Sequence, residues 1–153
     1  MKKEKTCKIV FSDIDGTLLT SDGQITEGTK EMILNLEKKG IPFILTSARS
    51  PEGVRVIKRM LGNHAPIIAF CGGLILDNDG NEIYSKMIPL KRALELKAML
   101  DKDFPAVACN TFGGEKWIVD DREDWREQRE EKIVGFPAEI GSIKDTFETE
   151  GGI

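Results

Sequence analysis

Two aspartates that follow a short apolar run are the residues of this sequence best placed to do chemistry. Asp13 and Asp15 come after Ile9-Val10-Phe11, and Gly16 and Thr17 follow directly. Two carboxylates on one short loop repel each other unless a positive partner compensates them. Residues two apart in an extended segment point to the same side, so both side chains should face one ligand. The pair therefore predicts a site that needs a cation.

The same residues suit the transfer of a phosphoryl group. Asp13 is the candidate nucleophile, which would attack phosphorus and form an aspartyl-phosphate. Asp15 could protonate the leaving alcohol and later deprotonate water. Because the nucleophile and the phosphate are both anions, a divalent cation is expected to bridge them. Gly16 lets the backbone fold closely around a phosphate, and Thr17 adds a hydroxyl donor.

Alternating strand and helix patterns indicate how these residues are positioned. Thr26 predicts the start of one helix, and the Ser50-Pro51 pair predicts the start of a second that ends at Gly62. An Asp22-Gly23 turn signal predicts a small hairpin flap after the first strand. The predicted elements are buried strands at 7–12, 41–47 and 66–70, with helices at 27–39 and between Ser50 and Gly62. Such βαβ units predict a parallel sheet.

Three polar or glycine-rich segments follow the predicted parallel strands. They are the Asp13/Asp15 loop, Ser47, and Cys71-Gly72-Gly73. Ligands of parallel sheets bind beyond the carboxyl ends of the strands, so these segments are expected to converge.

The pattern changes after Gly73 and predicts a second, α+β module. The elements predicted after Gly73 are a hairpin around Asn78-Asp79-Gly80, a helix at 89–103, strands at 106–110 and 116–120, and a helix at 122–135. Trp117 and Trp125 are expected in the core of this module. The predicted boundary lies near Met87, which gives domains at 1–87 and 88–153.

Composition excludes several classes of partner. The 153 residues are 40% hydrophobic with a net charge of −4, and the Lys and Arg residues are scattered. Nucleic-acid binding would need clustered basic residues, so it is not expected. No apolar run reaches membrane-spanning length, so no membrane partner is expected. Cys7, Cys71 and Cys109 form no CxxC pair, which favours reduced thiols and a cytoplasmic location.

The segment "DIDGTLL" resembles motif I, DxDGT, of the haloacid dehalogenase (HAD) superfamily of phosphatases. "ILTSARS" is similar to its motif II, with Ser47-Ala48-Arg49 in place of "TGR", and Cys71-Gly72-Gly73 resembles an "NGA" turn. Within that superfamily these segments resemble the Cof-type (class IIB) hydrolases. The segment "WIVDDREDWREQREEKIVGFPAEI" resembles their cap, so the resemblance spans roughly residues 7–140. The resemblance implies half of a HAD-like Rossmannoid parallel-sheet core and part of an α+β, C2-type cap.

The resemblance also implies roles for individual residues. Asp13 would be the nucleophile and Asp15 the general acid and base, with Mg²⁺ held by the Asp13 carboxylate and the Asp15 backbone carbonyl. The implied substrate is a small phosphorylated metabolite. The implied phosphate- and substrate-binding residues are Ile14, Gly16, Thr17, Ser47, Ala48, Arg49 and Gly72.

Two motifs of the family, the motif III lysine and the acidic motif IV loop, have no counterpart here, so we expect an impaired, truncated enzyme. Lys86, Lys91 and Lys116 are expected on solvated surfaces and not as substitutes. A non-catalytic remnant, or an assembly partner of a separately encoded second half, is the alternative. A receiver-like acceptor phosphorylated at Asp13 is a weaker one.

The family's sheet topology implies one further expectation, about partners. A strand from the second half of the core would flank residues 8–12, and without it Ile9 and Phe11 would be partly uncovered. Open apolar edges are templates for pairing with another chain. We therefore expect a homodimer or a complex through this sheet edge.

Overall fold

The computed structural model of the chain describes residues 7–153, which divide into two compact units between Ser85 and Lys86. Each unit has its own sheet and its own hydrophobic core. Within residues 7–153, no helix has both the length and the apolar character that crossing a membrane requires.

The first unit is a five-stranded mixed sheet with two long helices. Its elements are β1 (Val10–Asp13), α1 (Glu27–Lys38), β2 (Phe43–Thr46), α2 (Pro51–Leu61), β3 (Ile67–Ala69), a 3₁₀ turn (Phe70–Gly72), β4 (Leu74–Leu76) and β5 (Glu82–Ser85). The strands lie in the order β1-β2-β3-β4-β5, with the first three parallel and the last two antiparallel. The predicted α/β class with a parallel sheet is confirmed. The hairpin after Gly73 extends this same sheet.

Both predicted helices of the first unit form where their capping residues indicate. The Thr26 hydroxyl accepts a hydrogen bond from the Thr29 amide at the start of α1. At the start of α2 the Ser50 hydroxyl accepts from the Gly53 amide, with Pro51 in the first turn. Gly62 ends α2 at a φ of 69°, a left-handed conformation that glycine adopts without steric cost.

The prediction that the first strand is fully buried is wrong. Side chains along β1 alternate between partly buried and exposed, and Phe11 is 57% exposed. Val10 packs against the core that includes residues of α1 and α2, whereas Ile9 and Phe11 point to the other face. Among the described strands β1 pairs with β2 alone, so it forms an edge of the sheet.

The predicted flap after the first strand is a tight turn without strands. The Thr20 amide donates to the Gln24 carbonyl and the Gly23 amide donates to the Thr20 carbonyl, each at 2.9 Å. Asp22-Gly23 thus sets a turn, but too few residues flank it in an extended conformation to pair as a hairpin.

The second unit combines a three-stranded sheet with helices. Its elements are α3 (Leu90–Asp103), β6 (Thr111–Gly113), β7 (Lys116–Val119), α4 (Trp125–Val134), β8 (Glu139–Ile140) and α5 (Ile143–Phe147). The prediction of a strand at 106–110 is wrong. The strand that pairs with β7 is β6, which lies directly after those residues. Gly113 pairs with Lys116 across a two-residue turn, so the antiparallel pairing of β6 with β7 begins at the residues that flank this turn.

The two tryptophans of this unit have different environments. Trp117 is 3% exposed and stacks on Phe112, with ring centroids 5.2 Å apart. Trp125 is 66% exposed at the start of α4, so the expectation that it is a core residue is wrong.

Candidate active site

The carboxyl ends of the three parallel strands lie along one edge of the sheet. Asp13, the last residue of β1, is in register with Thr46, the last residue of β2. Thr46 in turn lies opposite Ile68 of β3, and the Ser47 amide donates to the Ile68 carbonyl at 3.0 Å. The loops that follow these strands therefore begin side by side, as the sequence predicts.

The loop after β1 is a tight turn built on the backbone of Ile14. Its carbonyl accepts hydrogen bonds from the amides of Thr17, Leu18 and Leu19, at 3.4, 3.0 and 3.0 Å. The Ile14 side chain is fully buried and anchors the turn in the core. Gly16 has a φ of 73°, which a residue with a side chain rarely adopts.

The two aspartates on either side of Ile14 are both exposed. The Thr17 hydroxyl lies 3.4 Å from Asp13 Oδ2, which is long for a hydroxyl donor and indicates a weak bond. The Asp13 carboxylate is thus accessible for chemistry, with Thr17 beside it.

Asp15 has a strong partner, which is Arg49 from the loop after β2. Arg49 Nε lies 2.9 Å from Asp15 Oδ2, and Arg49 Nη2 lies 2.7 Å from Asp15 Oδ1. Such two-point pairs fix the plane of the carboxylate as well as its position. The Arg49 side chain is 14% exposed and that of Asp15 is 58% exposed.

Backbone hydrogen bonds attach the loop after β3 to the loop after β2. The Phe70 amide donates to the Arg49 carbonyl at 3.0 Å, and the Cys71 amide donates to the Ser47 carbonyl at 2.9 Å. Phe70 and Cys71 have φ values of 49° and 54°, so two consecutive non-glycine residues hold a left-handed conformation. Strain of this kind persists only where the surrounding structure imposes it.

The other residues predicted to bind phosphate occupy different positions around this edge. Ser47 is 5% exposed, and its hydroxyl accepts a hydrogen bond from the Arg49 amide at 3.2 Å. That hydroxyl keeps its own proton for donation. Ala48 is exposed, and Gly72 is partly buried with a φ of 94°. All seven predicted binding residues belong to the first unit.

The donor atoms at this edge fit Mg²⁺ in kind. Mg²⁺ prefers oxygen ligands such as carboxylates and backbone carbonyls. The exposed Asp13 carboxylate is such a ligand, whereas both oxygens of Asp15 accept from Arg49. Across residues 7–153, no group of three or more His, Cys, Asp or Glu side chains is arranged to hold a metal ion. The described residues of this edge would therefore supply one carboxylate to a shell that Mg²⁺ usually completes with water and phosphate oxygens.

A separate groove of about 600 Å³ contains none of the predicted site residues. It lies between the end of α2 and the β4–β5 turn, and its charged lining includes Lys58, Arg59 and Asp77. Burial is the main cause that lowers the pKa of Lys58. The candidate site is the edge at the strand ends, because the residues predicted to act together lie there and not in the groove.

Sequence reasoning missed the pairing of Arg49 with Asp15. It also missed the left-handed conformation of Phe70. The proximity of Arg49 and Asp15 could have been predicted from the sequence. Asp15 follows β1 and Arg49 follows β2, and these two strands are parallel neighbours, so their following loops lie close together.

A model of the haloacid dehalogenase-like hydrolase family matches residues 10–150. A Haemophilus influenzae protein that carries only a provisional phosphatase name is 36% identical over 124 residues, 75% of this chain and 47% of that protein. A phosphoglycolate phosphatase of Thermoplasma volcanium is 38% identical over 74 residues, 48% of this chain and 33% of that enzyme.

Solved structures show the same fold. A haloacid dehalogenase-like hydrolase of Bacteroides thetaiotaomicron superposes with a TM-score of 0.80 at 20% identity, over 90% of this chain and 52% of that one. A HAD subclass IIB sugar phosphatase gives a TM-score of 0.69 at 20% identity, over 90% of this chain and 54% of that one. The chain thus spans about half the length of these relatives, apart from the Thermoplasma enzyme, of which it spans a third.

Proposed function

The chain belongs to the haloacid dehalogenase-like hydrolases, and we propose that it carries the catalytic aspartates of a Mg²⁺-dependent phosphomonoesterase of the Cof type. One observation carries the proposal. Asp13 and Asp15 are both exposed at the carboxyl end of β1, on the sheet edge where Ser47 also lies. We assign the first unit to the catalytic core and the second unit to a cap.

In the proposed reaction, a carboxylate oxygen of Asp13 attacks the phosphorus of the substrate. The bond between phosphorus and the leaving oxygen breaks as the aspartyl-phosphate forms, and Asp15 gives its proton to that oxygen. Water then attacks the phosphorus and gives a proton to Asp15. Inorganic phosphate leaves, and the Asp13 carboxylate is restored.

Neighbouring groups would orient the phosphate during both steps. The Thr17 hydroxyl already lies next to Asp13, and the Ser47 hydroxyl retains a proton to donate. Backbone groups of Ile14, Gly16, Ala48 and Gly72 complete the proposed cradle. These residues would contact the phosphate through their backbone groups. The Ile14 side chain is fully buried, so only its backbone is available for such a contact.

The Asp13 carboxylate and the Asp15 backbone carbonyl would hold the metal. A bound Mg²⁺ would neutralise the charge of the phosphate and of the attacking carboxylate. The substrate proposed on these grounds is a small phosphorylated metabolite, since the proposed cradle contacts the phosphate and no other part of a substrate.

A cytoplasmic location stays a prediction from the cysteine content. Cys7, Cys71 and Cys109 are free thiols.

A non-catalytic role, as a remnant or as an assembly partner of a separately encoded second half, is the second candidate. The two candidates differ in whether Asp13 supports turnover. We would measure hydrolysis of p-nitrophenyl phosphate with Mg²⁺ by the wild type, by Asp13→Asn, and by Asp79→Asn. Asp79 is an exposed carboxylate of the same unit and serves as the matched control.

Catalysis at the proposed site requires that Asp13→Asn abolish hydrolysis and that Asp79→Asn retain it. Hydrolysis that both variants retain equally would come from a contaminant or another site, and it would overturn the proposal.

We propose that the β1 edge and its open face pair with a second copy of this chain. Ile9 and Phe11 are 43% and 57% exposed there, and burying them on association would favour a dimer by about 25 cal/mol per Å². Light scattering should give a dimer for the wild type and for Met32→Lys, which alters an exposed side chain of α1, and a monomer for Phe11→Lys. A monomeric wild type at high concentration would contradict this proposal.

A further inference from the structure

The pairing of Arg49 with Asp15 is not explained by phosphate binding or by metal binding. The two residues lie 34 positions apart in the sequence, and two N–H groups of the guanidinium meet both oxygens of the carboxylate. By contrast, Arg59 reaches Glu52 through a single hydrogen bond of 2.7 Å, and its side chain is 61% exposed. The Arg49–Asp15 pair is therefore a bidentate ion pair with defined geometry, unlike the single exposed bond of Arg59.

The backbone of Arg49 is held on both sides. Its amide donates to the Ser47 hydroxyl at 3.2 Å, and its carbonyl accepts from the Phe70 amide at 3.0 Å. Its side chain is largely buried, whereas Asp15 faces solvent. Arg49 is thus the fixed member of the pair, and it restrains Asp15.

We propose that Arg49 is a positioning residue that acts through Asp15 and that it does not bind the phosphate of the substrate. The inference rests on the proposed function, in which Asp15 transfers the proton. One oxygen of the carboxyl group carries that proton to the leaving oxygen and later receives one from water. In the carboxylate form both oxygens accept from Arg49, and the oxygen that takes up the proton gives up its hydrogen bond to the guanidinium. The other oxygen keeps its bond, so the group stays oriented throughout.

Substrates with different leaving groups distinguish positioning from phosphate binding. A dinitrophenolate leaves without help from an acid, whereas an alkoxide needs a proton. We would compare kcat/KM for dinitrophenyl phosphate and for glycerol phosphate in the wild type, in Arg49→Lys and in the control Arg59→Lys. Lysine keeps the positive charge but has no planar fork.

Arg49→Lys should lower kcat/KM for glycerol phosphate about 10- to 100-fold, part of the 10²–10⁴ that general acid–base catalysis contributes. It should leave kcat/KM for dinitrophenyl phosphate within about twofold, as should Arg59→Lys for both substrates. In an Asp15→Asn background, Arg49→Lys should have no further effect, because both changes remove the same function.

Equal losses on the two substrates, or additive losses with Asp15→Asn, would show that Arg49 binds phosphate and would overturn the inference. The proposed function would still stand in that case. If the wild type showed no Asp13-dependent hydrolysis of either substrate, the proposed function would fail, and the catalytic role given to the pair would fail with it.

The contact itself can be measured without turnover. In NMR spectra of the chain, the Arg49 Nε–H should exchange with solvent more slowly than the Arg59 Nε–H. Asp15→Ala, which removes both acceptor oxygens, should remove the difference. Equal exchange of the two groups in the wild type would show that the pair does not persist in solution, and it would overturn the inference.

Discussion

The amide nitrogen of Cys71 lies 2.9 Å from the carbonyl oxygen of Ser47. This bond joins the turn after β3 to the loop after β2, which holds Arg49. Cys71 makes the bond in a left-handed conformation, at a φ of 54°. The arrangement of the candidate site thus depends in part on a strained turn whose side chains have no proposed catalytic role.

The first prediction concerns this strain. Asn adopts the left-handed conformation more readily than most residues, whereas a β-branched residue strongly disfavours it. Cys71→Asn should therefore raise the free energy of unfolding by up to about 1 kcal/mol, and Cys71→Val should lower it by a similar amount or more. Chemical denaturation of both variants measures the effect. If Cys71→Val were as stable as Cys71→Asn, the backbone at this position would not be strained.

The second prediction concerns a close contact in the core of the second unit. A Cβ atom at Gly113 would lie 2.5 Å from Cε1 of Phe147, a side chain that is fully buried. Gly113→Ala should lower the free energy of unfolding by about 1–3 kcal/mol, as overpacked cores do. Gly28→Ala is the control, because nothing lies within 4 Å of its Cβ and it sits in α1, where Ala should stabilise slightly.

Thermal or urea unfolding of both alanine variants tests this contact. A Gly113→Ala chain as stable as the wild type would mean that Phe147 can move aside, and that this part of the core is loosely packed.

Local signals predicted the helices of the first unit well. Thr26, Ser50-Pro51 and Gly62 cap or end α1 and α2 through contacts within a few residues, which a sequence displays directly. The alternation along β1 was not predictable in the same way. An apolar run such as Ile9-Val10-Phe11 does not show which strands flank it, and β1 lies at an edge of the described sheet.

The errors in the second unit have a related cause. The apolar content of residues 106–110 suggested a strand, but the turn after Gly113 sets the register and selects Thr111–Gly113 instead. At the candidate site, the sequence predicted that the loops lie at one edge of the sheet. It did not predict the contact between Arg49 and Asp15. That contact depends on side-chain rotamers and on neighbouring loops, which residue spacing does not encode.

The third prediction concerns a buried carboxyl group of α4. Glu127 is 2% exposed, and its Oε2 has no hydrogen-bond partner in the described part of the chain. Burial is the largest cause that raises the pKa of Glu127 above its ordinary value of 4.5. The unfolded chain therefore releases this proton at lower pH than the folded chain, so stability falls as the pH rises above 4.5.

The fall should continue to the raised pKa of the folded state and then level off. Glu127→Gln cannot ionise, so it should lose less stability than the wild type when the pH is raised from 4.5 to neutral. Unfolding free energies measured across this range provide the test, with Glu148→Gln at an exposed site as the control. Parallel pH curves for the wild type and Glu127→Gln would refute the prediction.

The fourth prediction concerns the metal. At the candidate site both oxygens of Asp15 accept from Arg49, which leaves the Asp13 carboxylate as the ligand for Mg²⁺. Affinity for the chain should therefore be millimolar or weaker, given the reluctance of Mg²⁺ to lose its waters. Calorimetry should detect weak binding that Asp13→Asn removes and Asp79→Asn retains. Micromolar affinity would require a ligand that the described residues do not provide.

The central claim, that Asp13 is a nucleophile toward phosphorus, is tested most directly by trapping its phosphoryl adduct. The chain would be mixed with Mg²⁺ and dinitrophenyl phosphate, quenched in acid and digested, and the peptides examined by mass spectrometry. We predict that the added phosphoryl group lies on Asp13 in the wild type and is absent from Asp13→Asn. A phosphoryl group on another residue, or Mg²⁺-dependent turnover by Asp13→Asn at the wild-type rate, would contradict the claim.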